Sequence, residues 1–272
     1  MRPLAPRILV FDSGVGGLSI ARAIWQQLPR ARLLYLADNA HFPYGDQPDQ
    51  AVISRCLTLV QGLLAQQPAD MVVIGCNTAS TLVLPALRAA VKLPVVGVVP
   101  AIKPAAALSR NHRLGLLATP ATVRRPYLDQ LIREFSPDCD WVRVGSSALV
   151  QLVEDSLESG TVNAATLARI TEPLRQGEVD TVVLGCTHFP LIQAALAATM
   201  GPEVVWVDSG EAIARRVVSL MDNPGLGGLS GEARAKMADH QLFFTAAPPK
   251  GLGVWLQRHS VGDAGVTGYW GG

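Results

Sequence analysis

Asp70-Met71-Val72-Val73-Ile74-Gly75-Cys76 recurs 110 positions later as Asp180-Thr181-Val182-Val183-Leu184-Gly185-Cys186, with five identities and one Ile/Leu exchange. A short β-branched run closed by glycine reads as a buried strand, and its duplication makes an internal repeat the first property to test. The neighbouring runs follow at nearly the same offset: Leu93–Val99 falls on Pro202–Asp208 at 109, and Ile8–Ser13 on Leu114–Thr119 at 106. Strand-like runs at Arg7–Phe11, Arg32–Ala37, Met71–Gly75, Val95–Val99, Arg113–Ala118, Trp141–Val144, Thr181–Gly185 and Val204–Val207 alternate with helical patterns, which predicts parallel sheets joined by helical crossovers. Ile53, Cys56, Leu57, Val60 and Leu64 mark the apolar face of one such helix, ending near Pro68. The expected fold is α/β: two pseudo-twofold-related doubly wound domains with mainly parallel sheets, their strand C-termini meeting at an active site in the interdomain cleft. The first domain is expected to be discontinuous, 1–98 and 209–272 with Cys76, and the second to span 99–208 with Cys186. Val98–Ala101 and Asp208–Glu211 are the expected crossover points.

Two hundred and seventy-two residues suffice for two domains at about 100–200 residues each. With 49% hydrophobic and 17% charged residues, the chain reads as globular rather than disordered. Its 23 basic and 22 acidic residues leave a net charge of +1 without long runs of either sign, which argues against nucleic acid and membrane surfaces as partners. No apolar stretch approaches the roughly 18 residues of a membrane helix. The opening Met1–Arg7 lacks the segments of a secretory signal and the four cysteines are widely spaced, so a reducing, cytoplasmic location is expected.

The central constellation is Gly75-Cys76-Asn77-Thr78-Ala79-Ser80 with Gly185-Cys186-Thr187-His188-Phe189-Pro190, each cysteine at the tip of a buried strand. Related by a twofold axis, the two thiols would approach one substrate from opposite sides, as a stereoinverting proton transfer requires. A helix N-terminus at each cysteine is expected to lower its pKa, making thiolate and thiol both accessible. Three alternatives remain: buried cysteine as a small core residue, a metal site of Cys76, Cys186 and His188, and a redox disulfide. No C-x-x-C pair supports a metal, and none is expected. His188, two residues beyond Cys186, reads as that thiol's assisting group, and Asp12 as the equivalent on the Cys76 side. Glu154, early in a helix, reads equally as a solvated residue.

Asp12-Ser13-Gly14-Val15-Gly16-Gly17-Leu18-Ser19 follows a strand and opens a helix, superficially like a dinucleotide fingerprint, with Asp38 where a ribose-binding acid would sit. Ser19 replaces the third glycine, however, and Asp12 would repel a pyrophosphate. The preferred reading is a turn presenting polar groups and backbone donors to a small substrate. Thr119-Pro120-Ala121-Thr122 is its counterpart in the repeat, so the hydroxyls of Thr119 and Thr122 should face the same cleft. Phe42-Pro43-Tyr44-Gly45 reads as a turn, and Cys56 and Cys139 as bystanders. The four lysines, Lys92, Lys103, Lys236 and Lys250, lie beside no motif turn, so a pyridoxal phosphate Schiff base has no evident anchor and no cofactor is expected.

Together, Phe11–Gly17, Phe42–Gly45, Gly75–Ser80 and Gly185–Leu191 resemble the bacterial glutamate racemases of the cofactor-independent aspartate/glutamate racemase group, over roughly residues 7 to 222. The resemblance implies L-glutamate and D-glutamate as partners, with Cys76 deprotonating the D-isomer and Cys186 the L-isomer, assisted by Asp12 and His188. It places substrate contacts on Asp12, Ser13, Tyr44, Gly45, Asn77, Thr78, Thr119, Thr122, Thr187 and His188, and makes Asp38 and Glu154 acids near the site. It implies a supply of D-glutamate for peptidoglycan synthesis, and names a homodimer and a peptidoglycan-precursor activator as partners to look for. Aspartate racemase, an amino-acid-binding module without turnover and a nicotinamide oxidoreductase are the competing readings. Ala37-Asp38-Asn39-Ala40-His41 departs from the group's more frequent Gly-Asp-Thr-Ala-Arg. The tail Gly262–Gly272 matches no motif and reads as a mobile end.

Overall fold

The computed structural model describes residues 5–221, 240–259, 261 and 264–271. Met1–Leu4, the span 222–239 with Lys236, and residues 260, 262, 263 and 272 lie outside the described residues. The first part of the chain runs β1 (Arg7–Asp12), α1 (Leu18–Gln27), β2 (Arg32–Ala37), α2 (Asp49–Gln66), β3 (Met71–Ile74), α3 (Asn77–Ala90) and β4 (Val95–Gly97). The second part runs α4 (Ile102–Leu108), β5 (Arg113–Ala118), α5 (Pro120–Val123), α6 (Pro126–Phe135), β6 (Asp140–Gly145), α7 (Ser147–Ser156), α8 (Ala164–Gln176), β7 (Thr181–Leu184), α9 (Gln193–Met200) and β8 (Val205–Val207). Then follow α10 (Gly210–Met221), β9 (His240–Phe244), α11 (Leu252–Arg258) and β10 (Ala264–Thr267). All eight strand-like runs form strands, within two residues of the spans read from sequence.

The strands make two wholly parallel sheets, ordered β10-β9-β2-β1-β3-β4 and β6-β5-β7-β8. The order β2-β1-β3-β4 is repeated by β6-β5-β7-β8, the correspondence that the duplicated sequence predicts. Burial on both faces explains the near-continuous apolar strands. Successive residues still alternate between faces: Ile8, Val10, Met71 and Val73 pack with α1 and α10, whereas Leu9, Phe11, Val72, Ile74 and Cys76 pack with α2 and α3. In the second sheet Val182, Leu184 and Cys186 share one face and Leu114, Leu116 and Val183 the other. Parallel strands place all their C-terminal tips on one edge. Ser13, Asp38 and Cys76 thus lie together on one sheet, and Thr119, Ser146 and Cys186 on the other.

The crossover segments touch, Ser209 Oγ donating to the carbonyl of Val99 at 2.5 Å. The buried face of α2 is rotated from the sequence reading and centres on Val52, Cys56, Leu59, Val60 and Leu63, with Ile53, Leu57 and Leu64 only partly covered. The tail is a clearer correction. Ala264–Thr267 extends the first sheet as β10 beside β9. Beyond it, Trp270 donates its backbone N–H to Phe244 at 2.8 Å and sets its ring edge-on to Phe243 at 5.9 Å. Pairing with β9, which β2 holds in the sheet, anchors this segment. No helix among the described residues is long and apolar enough to cross a membrane.

Candidate active site

Cys76 is the residue that caps α3, and burial leaves it 6% exposed. Its Sγ lies 3.8 Å from Ser13 Oγ, which in turn lies 3.3 Å from Asp12 Oδ1. Asp12 is fully buried and accepts from the backbone N–H of Gly14 at 2.8 Å and from the hydroxyl of Thr187 at 3.0 Å. On the other sheet Cys186, also 6% exposed, lies 3.8 Å from His188 Nδ1. His188 Nε2 is 2.8 Å from Glu154 Oε1, and that same oxygen accepts from the backbone N–H of Val15 at 2.8 Å. Each thiol therefore begins a short polar chain ending at a carboxylate: Cys76–Ser13–Asp12 and Cys186–His188–Glu154.

Hydrogen bonds join the two sets of strand tips. Thr187 reaches Asp12, Val15 reaches Glu154, and Ser19 Oγ donates to the carbonyl of Thr187 at 2.8 Å. Thr78 Oγ1 and Thr119 Oγ1 lie 3.4 Å apart, and Thr119 donates to Thr122 at 3.0 Å. The glycines of the first turn now have a physical reason. A Cβ on Gly14 would fall 2.3 Å from Glu154 Oε1, and one on Gly16 2.3 Å from His188 Nδ1. The turn is bare so that side chains of the other half can lie against it.

Burial sets the electrostatics. Desolvation pushes Asp12 up to about 6, opposed by the charge of His188 and the Gly14 N–H. It pushes the Cys76 thiol well above the ordinary thiol range, and the negative charge of Asp12 adds to this. The helix N-terminus does not prevail at Cys76, contrary to the sequence expectation, because removing a thiolate from water costs more than the terminus returns. Burial works against a charged His188, yet hydrogen bonds to Cys186 and Glu154 raise its pKa well above the ordinary value.

Of the residues singled out from sequence, Asp12, Ser13, Cys76, Asn77, Thr78, Thr119, Thr122, Cys186, Thr187, His188 and Glu154 meet where the two sets of tips face each other. Tyr44 and Gly45 belong to a 3-10 turn, Tyr44–Asp46, that abuts them: a Cβ on Gly45 would stand 3.4 Å from Thr119 Cβ. Asp38 is engaged instead by Arg55, Tyr44 and Thr245. Sequence reasoning missed Arg55, and also Tyr35, whose hydroxyl donates to the carbonyl of Gly14 at 2.5 Å. All four cysteines are free thiols, and no group of three or more His, Cys, Asp or Glu among the described residues is arranged to hold a metal ion.

Comparison with known proteins agrees with this arrangement. The family described as Asp/Glu/Hydantoin racemase matches residues 9–217. A glutamate racemase of Shewanella loihica is 52% identical over 232 residues, 85% of this chain and 87% of the relative. The Escherichia coli glutamate racemase crystallised with L-glutamate and the activator UDP-MurNAc-Ala superimposes with a TM-score of 0.86 at 42% identity, covering 97% of this chain and 98% of that one. A Bacillus anthracis glutamate racemase isoform gives 0.80 at 27% identity, with 97% of each chain covered. Duplicated α/β halves and these relatives converge on one conclusion: the chain belongs to the Asp/Glu/hydantoin racemase family and is an amino-acid racemase, an isomerase.

Proposed function

We propose that this racemase interconverts L- and D-glutamate without a cofactor by proton transfer between Cys76 and Cys186. Cys76, as thiolate, takes the α-proton of D-glutamate while the thiol of Cys186 delivers its proton to the opposite face, leaving L-glutamate, Cys76 protonated and Cys186 as thiolate. The reverse reaction runs from that state. The observation that carries the reading is the pair of polar chains, because each supplies a proton acceptor behind its thiol. A pKa near 6 suits Asp12 to receive the Cys76 proton through the Ser13 hydroxyl once substrate is bound. His188, held between Cys186 and Glu154, is the group placed behind the thiol on the other side.

The α-proton of an amino acid is weakly acidic, so the carbanion-like transition state needs electrostatic stabilisation in a site closed to water. Ser13, Thr78, Thr119, Thr122 and Thr187 are 2–7% exposed and line the site with neutral hydroxyls, beside the backbone N–H donors at the N-terminus of α3. Asn77 Oδ1 is buried without a hydrogen-bond partner among the described residues, unmet capacity that a substrate ammonium satisfies. The same reading includes the cleft between domains 1–98 with 209–272 and 99–208, a cytoplasmic supply of D-glutamate for peptidoglycan, and an activator of the UDP-MurNAc-Ala kind, as printed for the E. coli relative. The test is the optical signal of L-glutamate, D-glutamate and L-aspartate incubated with the purified protein and no cofactor. Decay with both glutamate enantiomers but not aspartate is expected. Decay with aspartate alone overturns the substrate assignment.

A further inference from the structure

Asp38 is 0% exposed at the tip of β2, one strand over from Asp12 at the tip of β1. Four hydrogen bonds satisfy its carboxylate. Arg55 on α2 grips it with both arms of the guanidinium, Nε to Oδ2 at 3.0 Å and Nη2 to Oδ1 at 2.6 Å. Tyr44 donates its hydroxyl at 2.8 Å, and Thr245, just beyond β9, donates at 2.8 Å. His41 Nδ1 lies 3.5 Å from Oδ1, and Cys56 on α2 is near enough to feel the carboxylate's charge.

We propose that Arg55 is a positioning residue for racemisation: by holding Asp38 ionised and oriented, it fixes Tyr44 and so the turn that walls the substrate site opposite Thr119. The inference rests on the proposed glutamate-racemase reading for the location of that site. On this side the Tyr44 ring also packs in the core beside Phe11, centroids 6.2 Å apart, but among the described residues its hydroxyl is fixed by Asp38. Asp46 of the turn, with the hydroxyl of Ser147 at 3.2 Å, and Asp49 at the start of α2, with Arg125 at 2.5 and 2.8 Å, reach across to the second half. Through Asp38, Arg55 is thus a cation that ties the wall to its own domain. Asp38 cannot do this alone, because a buried carboxylate without a counter-charge takes up a proton or destabilises its surroundings.

Removal of the guanidinium should therefore act on binding, with a pH signature. In Arg55→Met the proton acquired by Asp38 at low pH is lost as pH rises, leaving a naked buried charge. KM for both enantiomers is expected to rise 10-fold or more while kcat falls less than 3-fold, and the KM defect should grow between pH 6 and pH 9. Adding Asp38→Asn to Arg55→Met removes the naked charge and should flatten the pH dependence and recover part of the affinity. Arg55→Lys, one ammonium in place of a fork, should fall between wild type and Arg55→Met. If Arg55→Met loses thermal stability but keeps wild-type KM and pH profile, or if the added Asp38→Asn worsens the defect, the inference is overturned. Should Arg55→Met not fold, Arg55→Lys and the double variant decide by the same criteria. Cys76→Ala and Cys186→Ala assayed alongside separate the two readings: turnover in those variants defeats the two-thiol chemistry, whereas a pH-independent wild-type KM in the Arg55 series defeats only the positioning role.

Discussion

Replacing Asp12 by Asn preserves shape and most contacts. The amide oxygen still accepts from the N–H of Gly14, and the amide nitrogen donates to the hydroxyl of Thr187, which rotates to accept. What disappears is a carboxylate raised from 3.8 to about 6, chiefly by burial. That rise means ionising Asp12 costs the native state about 3 kcal/mol more than the unfolded chain. The sign follows directly. Between the unfolded and folded pKa values the native state binds more protons, so the wild type loses stability as pH rises from about 4 to about 6 and stays penalised above. Asp12→Asn escapes this penalty, and should exceed wild type by about 1 kcal/mol at pH 4.5 and about 3 kcal/mol at pH 8. Urea unfolding at the two pH values, followed by fluorescence, reads the difference. Activity should meanwhile fall on the order of 100-fold, since the acceptor behind Cys76 is gone; stability and catalysis trade against each other at one side chain. If the variant is less stable than wild type at pH 8, or gains equally at both pH values, the carboxylate is not held against its desolvation and the account of Asp12 fails.

Glu154→Gln withdraws the negative charge at His188 Nε2, so the imidazole NMR titration should move to lower pH; an unchanged titration contradicts the Cys186–His188–Glu154 chain. Gly16→Ala drives a methyl group into His188 Nδ1 and should lower kcat at least 100-fold, whereas Gly253→Ala, with nothing within 4 Å of the added carbon, should raise helix stability by roughly 0.5–1 kcal/mol and leave kcat unchanged, as thermal melts and steady-state rates will read. The Arg125–Asp49 pair bridges the halves at a partly exposed position. Arg125→Ala should cost under about 1 kcal/mol of stability, yet raise KM several-fold by loosening the two halves, as steady-state rates will read; an unchanged KM would show that the pair does not hold the site.

Much of the fold was legible because the repeat doubled every signal. Two copies of one strand order explain why eight short runs could be placed correctly. Strands β9 and β10 were not, since they have no counterpart in the repeat: β9 owes its conformation to pairing with β2, more than two hundred residues away, and β10 to pairing with β9. Ala264–Thr267, with Gly265 inside it and Gly268 after it, reads locally as a loose end, and only its place beside β9, itself held by β2, makes it a strand. In the site, residues at strand tips were found readily, because tip position itself is the signal. Glu154 and Arg55 sit within helices and were harder to see. Glu154 lies four residues after Val150, on the edge of an apolar face, and Arg55 lies three after Val52 and four before Leu59; a charge interrupting an apolar stripe was the available clue. The high pKa of Cys76 was illegible, because it depends on how completely both halves exclude water and on the charge of Asp12 beyond Ser13.

The central claim is that two thiols, and no other base, exchange the α-proton. It is tested most directly by proton NMR of L-glutamate and of D-glutamate in D₂O with wild type, Cys76→Ala and Cys186→Ala, each checked for its fold by circular dichroism. The account predicts loss of the α-proton signal with formation of the opposite enantiomer in the wild type, and no enantiomer formation in either folded variant. Racemisation near the wild-type rate by either variant would contradict it.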